Sequence, residues 1–449
     1  MNSTSTNPPP IAVNNDLWYW SLISYAAFAL ALPYYAIRIL TTTKYRSGLR
    51  QRLTLFSSEE QQKLKANRYI WMHTVSVGEL MAARPIIERL KIEFPAFKIL
   101  VTTVTETGQD LAQKLDIVDT AIYLPLDIFS LCRKVMSMVD PACLIIMETE
   151  LWPNFIRSAV AANIPLFLVN ARLSDKSFKN YLRFKRLFKP ILTLFTGILA
   201  QSEQDRQRFL QIGAPDSIVS AMGNIKFEAA SQIGDSATRQ RWRELFQIKD
   251  HELLLLGGST FPGEESLLVQ VALDLLNQDI PIRLVIAPRH VERSPAIFDE
   301  LNKFDIPVIL RSQINDQTEI DSRAVILMDT IGELGQAYSA ADIVFMGKSI
   351  CGRGGQNPIE PAAWGKPILF GKNMQNFRDI APMLINGGAA QQVAGQPELS
   401  EACLALCQSP ELRSQMGRMA QAIVKQNQGA LDHIVQAVSP ILREASKTR

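Results

Sequence analysis

Residues 68–80 read RYIWMHTVSVGEL, an apolar run that passes through polar residues into Gly78 and Glu79. Apolar side chains then recur at helical spacing, at Leu80, Ala83, Ile86, Ile87 and Leu90. The pattern predicts a buried strand followed by a helix that carries Glu79 on its first turn. Ligands of open α/β sheets bind at the carboxyl ends of parallel strands. Glu79 therefore has two interpretations: it complements the helix dipole, or its carboxylate accepts a proton from a bound hydroxyl.

Strand-like and helical segments alternate along the rest of the chain. Strands are predicted in two series, at 69–75, 98–103, 121–124, 144–147, 166–169 and 197–200, and at 253–257, 283–287, 308–310, 324–327, 343–346 and 367–370. Such alternation predicts parallel sheets with helices on both faces. We therefore expect the α/β class and a GT-B arrangement, in which two doubly wound Rossmann-like domains face a cleft. The expected limits are 1–53 for an N-terminal segment, 54–235 for the first domain and 236–449 for the second domain with its closing helices.

Composition and length narrow the class of protein. A chain of 449 residues is too long for one core, and its 47% hydrophobic residues are enough for two. The net charge of +3 argues against a nucleic-acid partner, because no strongly basic domain stands out. The five cysteines form no Cys-x-x-Cys pair, which is typical of reduced thiols rather than of a zinc site.

An N-terminal segment, residues 17–37, carries no charged side chain and has aromatic residues near both ends. It is long enough to cross a hydrocarbon core of ~30 Å as a helix. Basic residues follow it, at Arg38, Lys44, Arg46, Arg50 and Arg52. The positive-inside rule then places the rest of the chain in the cytoplasm. We expect a membrane-anchor helix, either spanning or, because of Pro33, only partly inserted.

Three segments of the second half follow predicted strands and have two interpretations each. The Gly-rich turn at 255–265 can hold a carboxylate or phosphate on its backbone N–H groups, or Glu264 and Glu265 simply complement a helix dipole. Arg289, at a strand end, can bind a phosphate or be solvated. The segment 329–334 can contact a nucleotide or cap a helix.

The segment 354–367, GGQNPIEPAAWGKP, is the strongest of the polar motifs. Its two glycines allow close approach of a ligand to the backbone, and Pro358 favours a helix start. Glu360 would lie on the first turn, where a carboxylate can accept two hydrogen bonds from a ribose diol. The polarity of this run exceeds what a packed turn requires.

Polar residues also end strands of the first half. Glu148 and Glu150 follow one apolar strand, and like charges placed close together raise one pKa and mark functional sites. Arg172 follows the next strand, and Lys226 lies near the domain boundary. Each cation is either solvated or directed to the ligand edge of the sheet.

Seven motifs in this order give the chain a family resemblance: HTVSVGE at 73–79, METELWPN at 147–154, NARLS at 170–174, GNIKF at 223–227, PRH at 288–290, GEL at 332–334 and NPIEPA at 357–362. The chain resembles the Kdo (3-deoxy-D-manno-octulosonic acid) transferases of lipopolysaccharide assembly. Members of that family move Kdo from its CMP ester to a lipid A precursor.

The resemblance implies a role for individual residues. Glu79 would be the general base, and Glu148 and Lys226 would stabilise the transition state and the departing phosphate. CMP would be held by nine residues, Pro288, Arg289, Ile331, Gly332, Glu333, Asn357, Pro358, Ile359 and Glu360. A carboxylate base attacking from the opposite face implies one displacement with inversion. Because cationic side chains can offset the phosphate charge, we expect no metal and no cofactor.

The resemblance also implies partners and a location. These are a CMP-Kdo donor, a lipid A precursor (lipid IVA) as acceptor and membrane lipids, at the inner membrane with the catalytic domains on the cytoplasmic side. Two positions depart from the family pattern, since Phe261 and Gln356 stand where members usually have His. One alternative is therefore a GT-B transferase that uses another nucleotide sugar on a lipid or envelope acceptor. A degenerate, membrane-anchored binding protein is a second, disfavoured by the presence of Glu79, Glu148, Lys226 and Arg289.

Overall fold

The computed structural model describes residues 17–41, 48–230, 236–315 and 317–447. The strands are, in chain order, β1 (Arg68–His73), β2 (Lys98–Thr103), β3 (Thr120–Tyr123), β4 (Asp140–Met147), β5 (Leu166–Ala171), β6 (Gly197–Ala200), β7 (Val219–Ala221), β8 (Leu253–Thr260), β9 (Ile282–Pro288), β10 (Val308–Leu310), β11 (Val325–Leu327), β12 (Ile343–Met346), β13 (Ile368–Phe370) and β14 (Ala390–Gln392).

The α-helices are α1 (Trp18–Thr41), α2 (Leu49–Arg52), α3 (Ser58–Ala66), α4 (Val77–Glu93), α5 (Glu106–Lys114), α6 (Phe129–Met136), α7 (Pro153–Ala161), α8 (Asp175–Arg183), α9 (Lys185–Leu192), α10 (Glu203–Ile212), α11 (Ser236–Leu245), α12 (Glu264–Leu276), α13 (Ser294–Leu301), α14 (Leu334–Ala337), α15 (Ile359–Ala363), α16 (Ile380–Asn386), α17 (Gln396–Gln408), α18 (Pro410–Asn427) and α19 (Ala430–Lys447). Short 3-10 helices join several of these elements. The chain divides into two compact units, Met1–Glu228 with Gln428–Arg449, and Ala229–Asn427.

The first unit is built on a seven-stranded sheet in the order β3-β2-β1-β4-β5-β6-β7, and every pair of neighbours is parallel. The chain proceeds outward in one direction from β1 to β3 and in the other from β4 to β7. The direction therefore reverses between β1 and β4, which makes the carboxyl end of this pair the expected ligand crevice of the sheet.

Two apolar layers cover the faces of this sheet. On one face, Trp71 and Leu144 pack with Phe155 of α7. On the other, Ile70 and Met72 lie in a cluster with α4 and with Ile434, Val438 and Leu442 of α19. The regular apolar stripe of α19 thus completes the core of the first unit. The expected limits assigned all closing helices to the second domain and placed the boundary after residue 235. Helices α17 and α18 do lie in the second unit, whereas α19 belongs to the first and the first unit ends at Glu228 before the chain enters the second.

Helix α1 packs on the first unit through its first two turns and the residue that precedes them. Leu17 and Trp20 are buried in the cluster that contains Phe155, and Asn154 donates from Nδ2 to Ser24 Oγ at 2.7 Å. No helix within the described residues combines the length and the hydropathy that crossing a membrane requires. The predicted spanning anchor is therefore not confirmed, and two residues of its predicted basic flank, Lys44 and Arg46, lie outside the described residues.

The second unit repeats this plan, with a seven-stranded parallel sheet in the order β10-β11-β9-β8-β12-β13-β14. Here the chain reverses between β8 and β12. Leucine, isoleucine and valine side chains of β8, β9 and β11 form its core with α12 and α17. Every sequence-predicted strand is present in one or the other sheet, with ends shifted by a few residues. The short edge strands β7 and β14 were not predicted, because each has only three residues and two of them are exposed.

Candidate active site

Glu79 lies on the first turn of α4, six residues after His73, the buried end of β1. Ser76 caps this helix, and its Oγ accepts from Glu79 N at 3.5 Å. The Glu79 carboxylate accepts from Val75 N at 2.7 Å and from Ser76 Oγ at 3.3 Å. The turn and the carboxylate therefore hold each other in place. They lie at the edge of the sheet where the connections that follow β1 and β4 diverge.

Glu148 is the first residue after β4 and has a left-handed backbone, with φ of 54°. Its N–H continues the sheet pairing by donating to Val169 O at 2.9 Å, and its Oε2 lies 3.5 Å from Arg172 Nε. Thr149 Oγ1 accepts from Arg172 N at 3.2 Å. The turns after β4 and β5 are thus tied together, and both predicted charged residues lie at the ligand edge of the sheet.

Three carboxylates interact at this edge. Burial raises the pKa of Glu79 to about 7, the charges of Glu148 and Glu150 add to that shift, and the Val75 N–H opposes it. Burial also raises the pKa of Glu150 to about 7, and the charge of Glu148 acts in the same direction. A carboxyl group with such a pKa can both take up and release a proton near neutral pH.

A chain of buried amides leads from β5 to Lys226. The Asn170 backbone carbonyl accepts from Gln201 Nε2 at 3.0 Å, and Gln201 Oε1 accepts from Asn224 Nδ2 at 3.1 Å. Asn224 Oδ1 in turn accepts from Lys226 N at 3.0 Å. Because β5, β6 and β7 are parallel to β4, these turns share its edge. Gln201 was missed by sequence reasoning, although its place directly after β6 was the available signal.

His73, at the end of β1, is fully buried and belongs to the core rather than to the ligand edge. Its Nδ1 lies 3.0 Å from Thr102 Oγ1, an atom that also accepts from Trp71 Nε1 at 3.0 Å. Burial lowers the pKa of His73 to about 4, so the ring is neutral at physiological pH. It therefore orders the end of the strand without carrying charge.

In the second unit, Arg289 follows the buried Pro288 at the end of β9, and its side chain is exposed. Glu360, on the first turn of α15, accepts from Asn357 Nδ2 at 3.1 Å, while Asn357 Oδ1 accepts from Ile359 N at 3.1 Å. Burial raises the pKa of Glu360, and the Asn357 hydrogen bond and the Arg289 charge oppose the shift. The structure thus brings together the predicted cation and the predicted ribose-binding carboxylate.

Hydrogen bonds to its last residue, Glu333, hold the loop Ile331–Glu333 in position. Glu333 accepts from Arg311 Nη2 at 3.0 Å and from Thr330 Oγ1 at 2.5 Å, whereas Ile331 is 83% exposed. The chain then enters α14, where a Cβ added to Gly335 would lie 3.6 Å from Glu360 Oε2. This loop therefore adjoins the turn that carries Glu360, and its apolar tip faces solvent.

The family model described as 3-Deoxy-D-manno-octulosonic-acid transferase (kdotransferase) matches residues 47–229. The 3-deoxy-D-manno-octulosonic acid transferase of Haemophilus influenzae is 31% identical over 416 residues, which cover 92% of this chain and 96% of that protein. The chain belongs to this transferase family. The enzyme of the same description from Rickettsia felis is 33% identical over 380 residues, covering 84% and 80% of the two chains. The predicted family is therefore confirmed, and the chain is a glycosyltransferase.

The solved structures confirm the fold of the two units. UDP-GlcNAc 2-epimerase from Neisseria meningitidis matches 83% of this chain and 100% of its own with a TM-score of 0.52, at 17% sequence identity. Together with the two parallel sheets, this likeness confirms the predicted α/β class with two Rossmann-like units.

The raised pKa values predict how the stability of this Kdo transferase family member depends on pH. A carboxyl group of ordinary pKa 4.5 that titrates near 7 in the folded chain keeps its proton where the unfolded chain has released it. The stabilisation by Glu79 and Glu150 is therefore complete below pH 4.5 and is lost as the pH rises through about 7. The double variant Glu79→Gln/Glu150→Gln should flatten this dependence, measured as thermal midpoints across that range.

The control for this experiment is Gly78→Ala. It alters the same turn without a titratable group, and the added Cβ would meet Ser76 Oγ at a comfortable 3.8 Å. It should retain the pH dependence of the wild-type protein. Parallel curves for the wild type and the double variant would show that neither carboxyl group has a raised pKa.

Proposed function

We propose that the protein transfers Kdo from CMP-Kdo to a lipid A precursor such as lipid IVA, with inversion at the anomeric carbon. The observation that carries the proposal is the Glu79 carboxylate, fixed at the β1–β4 reversal by Val75 N at 2.7 Å with a pKa near 7. Membership of the family supports the choice of donor and acceptor. A base of this kind is what the acceptor hydroxyl requires.

The proposed reaction is a single displacement. Glu79 takes the proton of the acceptor hydroxyl while that oxygen forms a bond to the anomeric carbon of Kdo. The bond from that carbon to the phosphate oxygen breaks on the opposite face, and CMP leaves with the electron pair. One displacement of this kind inverts the configuration. It needs a base at neutral pH, and a carboxyl group with a pKa of about 7 is partly ionised there and is a stronger base than an ordinary carboxylate.

Glu148 and Lys226 would act on the charges that develop during this step. Positive charge grows on the sugar ring in glycosyl transfer, and a nearby carboxylate stabilises it. Glu148 is ion-paired with Arg172 at 3.5 Å, so its position is fixed before substrate arrives. Lys226, held by Asn224, would offset the negative charge of the departing phosphate.

The CMP moiety would occupy the surface formed by Pro288, Arg289, the loop Ile331–Glu333 and the segment Asn357–Glu360. Arg289 would form charge-assisted hydrogen bonds with the phosphate. Glu360 would accept from the ribose hydroxyls through the carboxylate oxygens that Asn357 orients at 3.1 Å. The proximity of Arg289 and Glu360, visible in the effect of one charge on the pKa of the other, supports this division of roles.

Membrane lipids are the proposed partner of one surface of the first unit, at the cytoplasmic face of the inner membrane. Helix α1 exposes large apolar side chains, including Trp18 at 60%, Leu22 at 57% and Leu30 at 84%. Its opposite side is held to the unit, since Arg157 Nη1 donates to Ser21 Oγ at 3.0 Å. The helix thus presents an apolar strip on a rigid support.

Basic side chains lie beside this strip. The α8–α9 surface exposes Phe184 at 50% and Leu182 at 41%. It also exposes six cations, Lys176, Lys179, Arg183, Lys185, Arg186 and Lys189. The rings of Trp20 in α1 and Phe188 in α9 are 5.4 Å apart, so the two helices pack against each other. Apolar and cationic side chains together are what an anionic lipid surface attracts.

The membrane proposal predicts that Lys185→Glu/Arg186→Glu weakens binding to liposomes that contain anionic lipid. Each cation near such a surface contributes about 1 kcal/mol, so the reversal should lower the binding constant by about tenfold or more. Vesicle flotation measures the effect. Lys65→Glu/Lys114→Glu is the control, because it reverses the same number of charges at exposed cations of α3 and α5. Equal binding by the wild type and the charge-reversal variant would contradict the proposal.

The base assignment predicts that Glu79→Gln abolishes transfer, with a loss on the order of 100-fold or more. The purified protein is incubated with CMP-Kdo and lipid IVA, and products are weighed by mass spectrometry. CMP binding should persist, because Glu79 contacts the acceptor. Glu88→Gln serves as control, since Glu88 lies on the same helix and is paired with Arg84 at 2.7 Å. Substantial turnover by Glu79→Gln would remove Glu79 from the role of base.

The phosphate assignment predicts that Arg289→Ala weakens CMP binding. A hydrogen bond to a charged group contributes roughly 1.5–3 kcal/mol, so the dissociation constant should rise about 10- to 100-fold in calorimetric titrations. His290→Ala, at the exposed neighbouring position, should leave the affinity close to that of the wild type. An unchanged affinity in Arg289→Ala would refute the assignment. Tight UDP binding with weak CMP binding by the wild type would instead favour a transferase for another nucleotide sugar.

A further inference from the structure

Glu264 is a buried carboxylate to which the proposed chemistry gives no role. It follows Gly263, whose φ is +91°, and begins α12 directly after β8. Its exposed fraction is 0% although it lies at a helix start, where acidic side chains ordinarily face water. A carboxylate removed from solvent must be compensated by hydrogen-bond donors or charges.

Five backbone N–H groups provide that compensation. Glu264 Oε1 accepts from Ser349 N at 2.9 Å, Ile350 N at 3.0 Å and Cys351 N at 3.3 Å. Its Oε2 accepts from Lys348 N at 2.6 Å and Phe261 N at 2.9 Å. Four consecutive amides of the segment 348–351 therefore converge on one side chain. Such a nest of amides is the arrangement that binds phosphate in many nucleotide sites, and here a side chain of the protein fills it.

This nest lies at the point where the sheet reverses. Lys348–Cys351 follows β12, which pairs directly with β8, so the two connecting turns meet at the carboxyl ends of these strands. The approach is tight, because a Cβ on Gly347 would lie 2.3 Å from Ser259 O. Lys348 takes a left-handed backbone with φ of 57° to bring its N–H to Glu264.

The same loop leads into the proposed CMP site. Gly355 N donates to Lys348 O at 3.1 Å, which ties the end of the loop to the nest. Gly354 N donates to Gln375 Oε1 at 2.7 Å, and Asn376 N donates to Gly354 O at 2.9 Å. Asn357 and Glu360 follow within the same continuous segment. The position of these two residues therefore depends on a loop that is organised around Glu264.

We propose that Glu264 is a positioning residue for donor binding: its carboxylate, as an internal anion, holds the segment 348–355 so that Asn357–Glu360 meets the CMP donor. This rests on the proposed function, in which that segment binds CMP. Because Glu264 already occupies the amides of 348–351, the donor phosphate must be compensated elsewhere. That requirement leaves the phosphate charge to cationic side chains, which agrees with the roles proposed for Arg289 and Lys226.

Glu264→Gln tests the proposal with almost no change of shape. One carboxylate oxygen becomes an NH2 group, which turns a hydrogen-bond donor toward N–H groups that are donors themselves. At least two buried amides then lose their acceptor, and the loop must shift to find others. A displacement of about 1 Å at a binding segment can cost as much as 100-fold in efficiency. We expect the KM for CMP-Kdo and the Kd for CMP to rise on the order of tenfold or more, with the KM for the acceptor unchanged.

Glu265→Gln is the matched control. Glu265 is the next residue, is equally buried, and contacts Thr260 Oγ1 at 2.9 Å and Arg293 Nη1 at 3.0 Å rather than the 348–351 loop. Its replacement should leave the KM for the donor unchanged in protein that folds. A general loss of folded protein would lower the yield of active enzyme in either variant without raising the KM for the donor. An unchanged CMP affinity in folded Glu264→Gln would overturn the proposal.

Hydrogen exchange of the wild-type protein tests the same point without a variant, in case Glu264→Gln does not fold. The amides of 348–351 should be protected before CMP is added, because Glu264 holds them in the free protein. Amides that exchange freely and become protected only with CMP would overturn the proposal. Failure of the proposed function has a different signature: the wild-type protein would neither bind CMP nor transfer Kdo, while the protection of 348–351 would persist.

Discussion

Both units depend on the same constraint, which is the reversal of strand order in a parallel sheet. At such a reversal, two neighbouring connections leave the sheet on opposite faces, and the backbone at their origin has no further strand with which to pair. Each unit places an acidic residue there, on the first turn of the helix that follows its first sheet strand: Glu79 after β1 and Glu264 after β8. The two residues occupy equivalent positions in the topology, but the electrostatic surroundings of their carboxylates are opposite.

Glu79 accepts one backbone N–H and one hydroxyl hydrogen bond, and the neighbouring charges of Glu148 and Glu150 repel its ionised form. Glu264 accepts five backbone N–H groups. Donors that converge on a carboxylate offset its charge, whereas burial beside other carboxylates makes ionisation costly. In the proposed function, one unit therefore keeps a proton-accepting carboxylate at its reversal, and the other keeps a hydrogen-bonded carboxylate that holds a loop.

The backbone at these edges is held in sparsely populated conformations. Positive φ angles occur at Glu148 after β4, Asn170 at the end of β5, Ser259 at the end of β8 and Lys348 after β12. Such conformations cost roughly 1–3 kcal/mol for residues other than glycine and persist only where surrounding contacts enforce them. The positive φ of Asn170 is enforced by the hydrogen bond from the buried Gln201 amide. That of Lys348 is enforced by the hydrogen bond to Glu264. Four of the nine described non-glycine residues with positive φ thus lie at the ligand edges, where this conformation directs side chains that a regular strand end would turn away.

Much of this arrangement follows from local sequence. Apolar runs predicted the strands, and polar residues after them predicted Glu79, Glu148 and Arg289 at the carboxyl edge, because parallel strands end together. The role of Glu264 could not be predicted in this way, since four of its five donors lie more than eighty positions away and all five are backbone groups that carry no residue signature. The packing of α19 on the first unit could not be predicted either. An apolar stripe predicts that a helix is buried, but it does not indicate which sheet the helix packs against.

The hydrogen bonds that each buried acidic side chain accepts distinguish two groups of such residues more clearly than their degree of burial does. Asp342 is bonded by Arg239 at 2.9 Å, Arg243 at 3.1 Å and Leu254 N at 2.9 Å, and with Glu264 it belongs to the acids whose charge the fold itself compensates. Glu79, Glu150 and Glu360 have raised pKa values because burial outweighs the donors that they receive. Folding alone does not require such groups, because a carboxyl group with a raised pKa costs stability once it ionises. In the proposed function, the remaining donors arrive with substrate: an acceptor hydroxyl for Glu79 and ribose hydroxyls for Glu360.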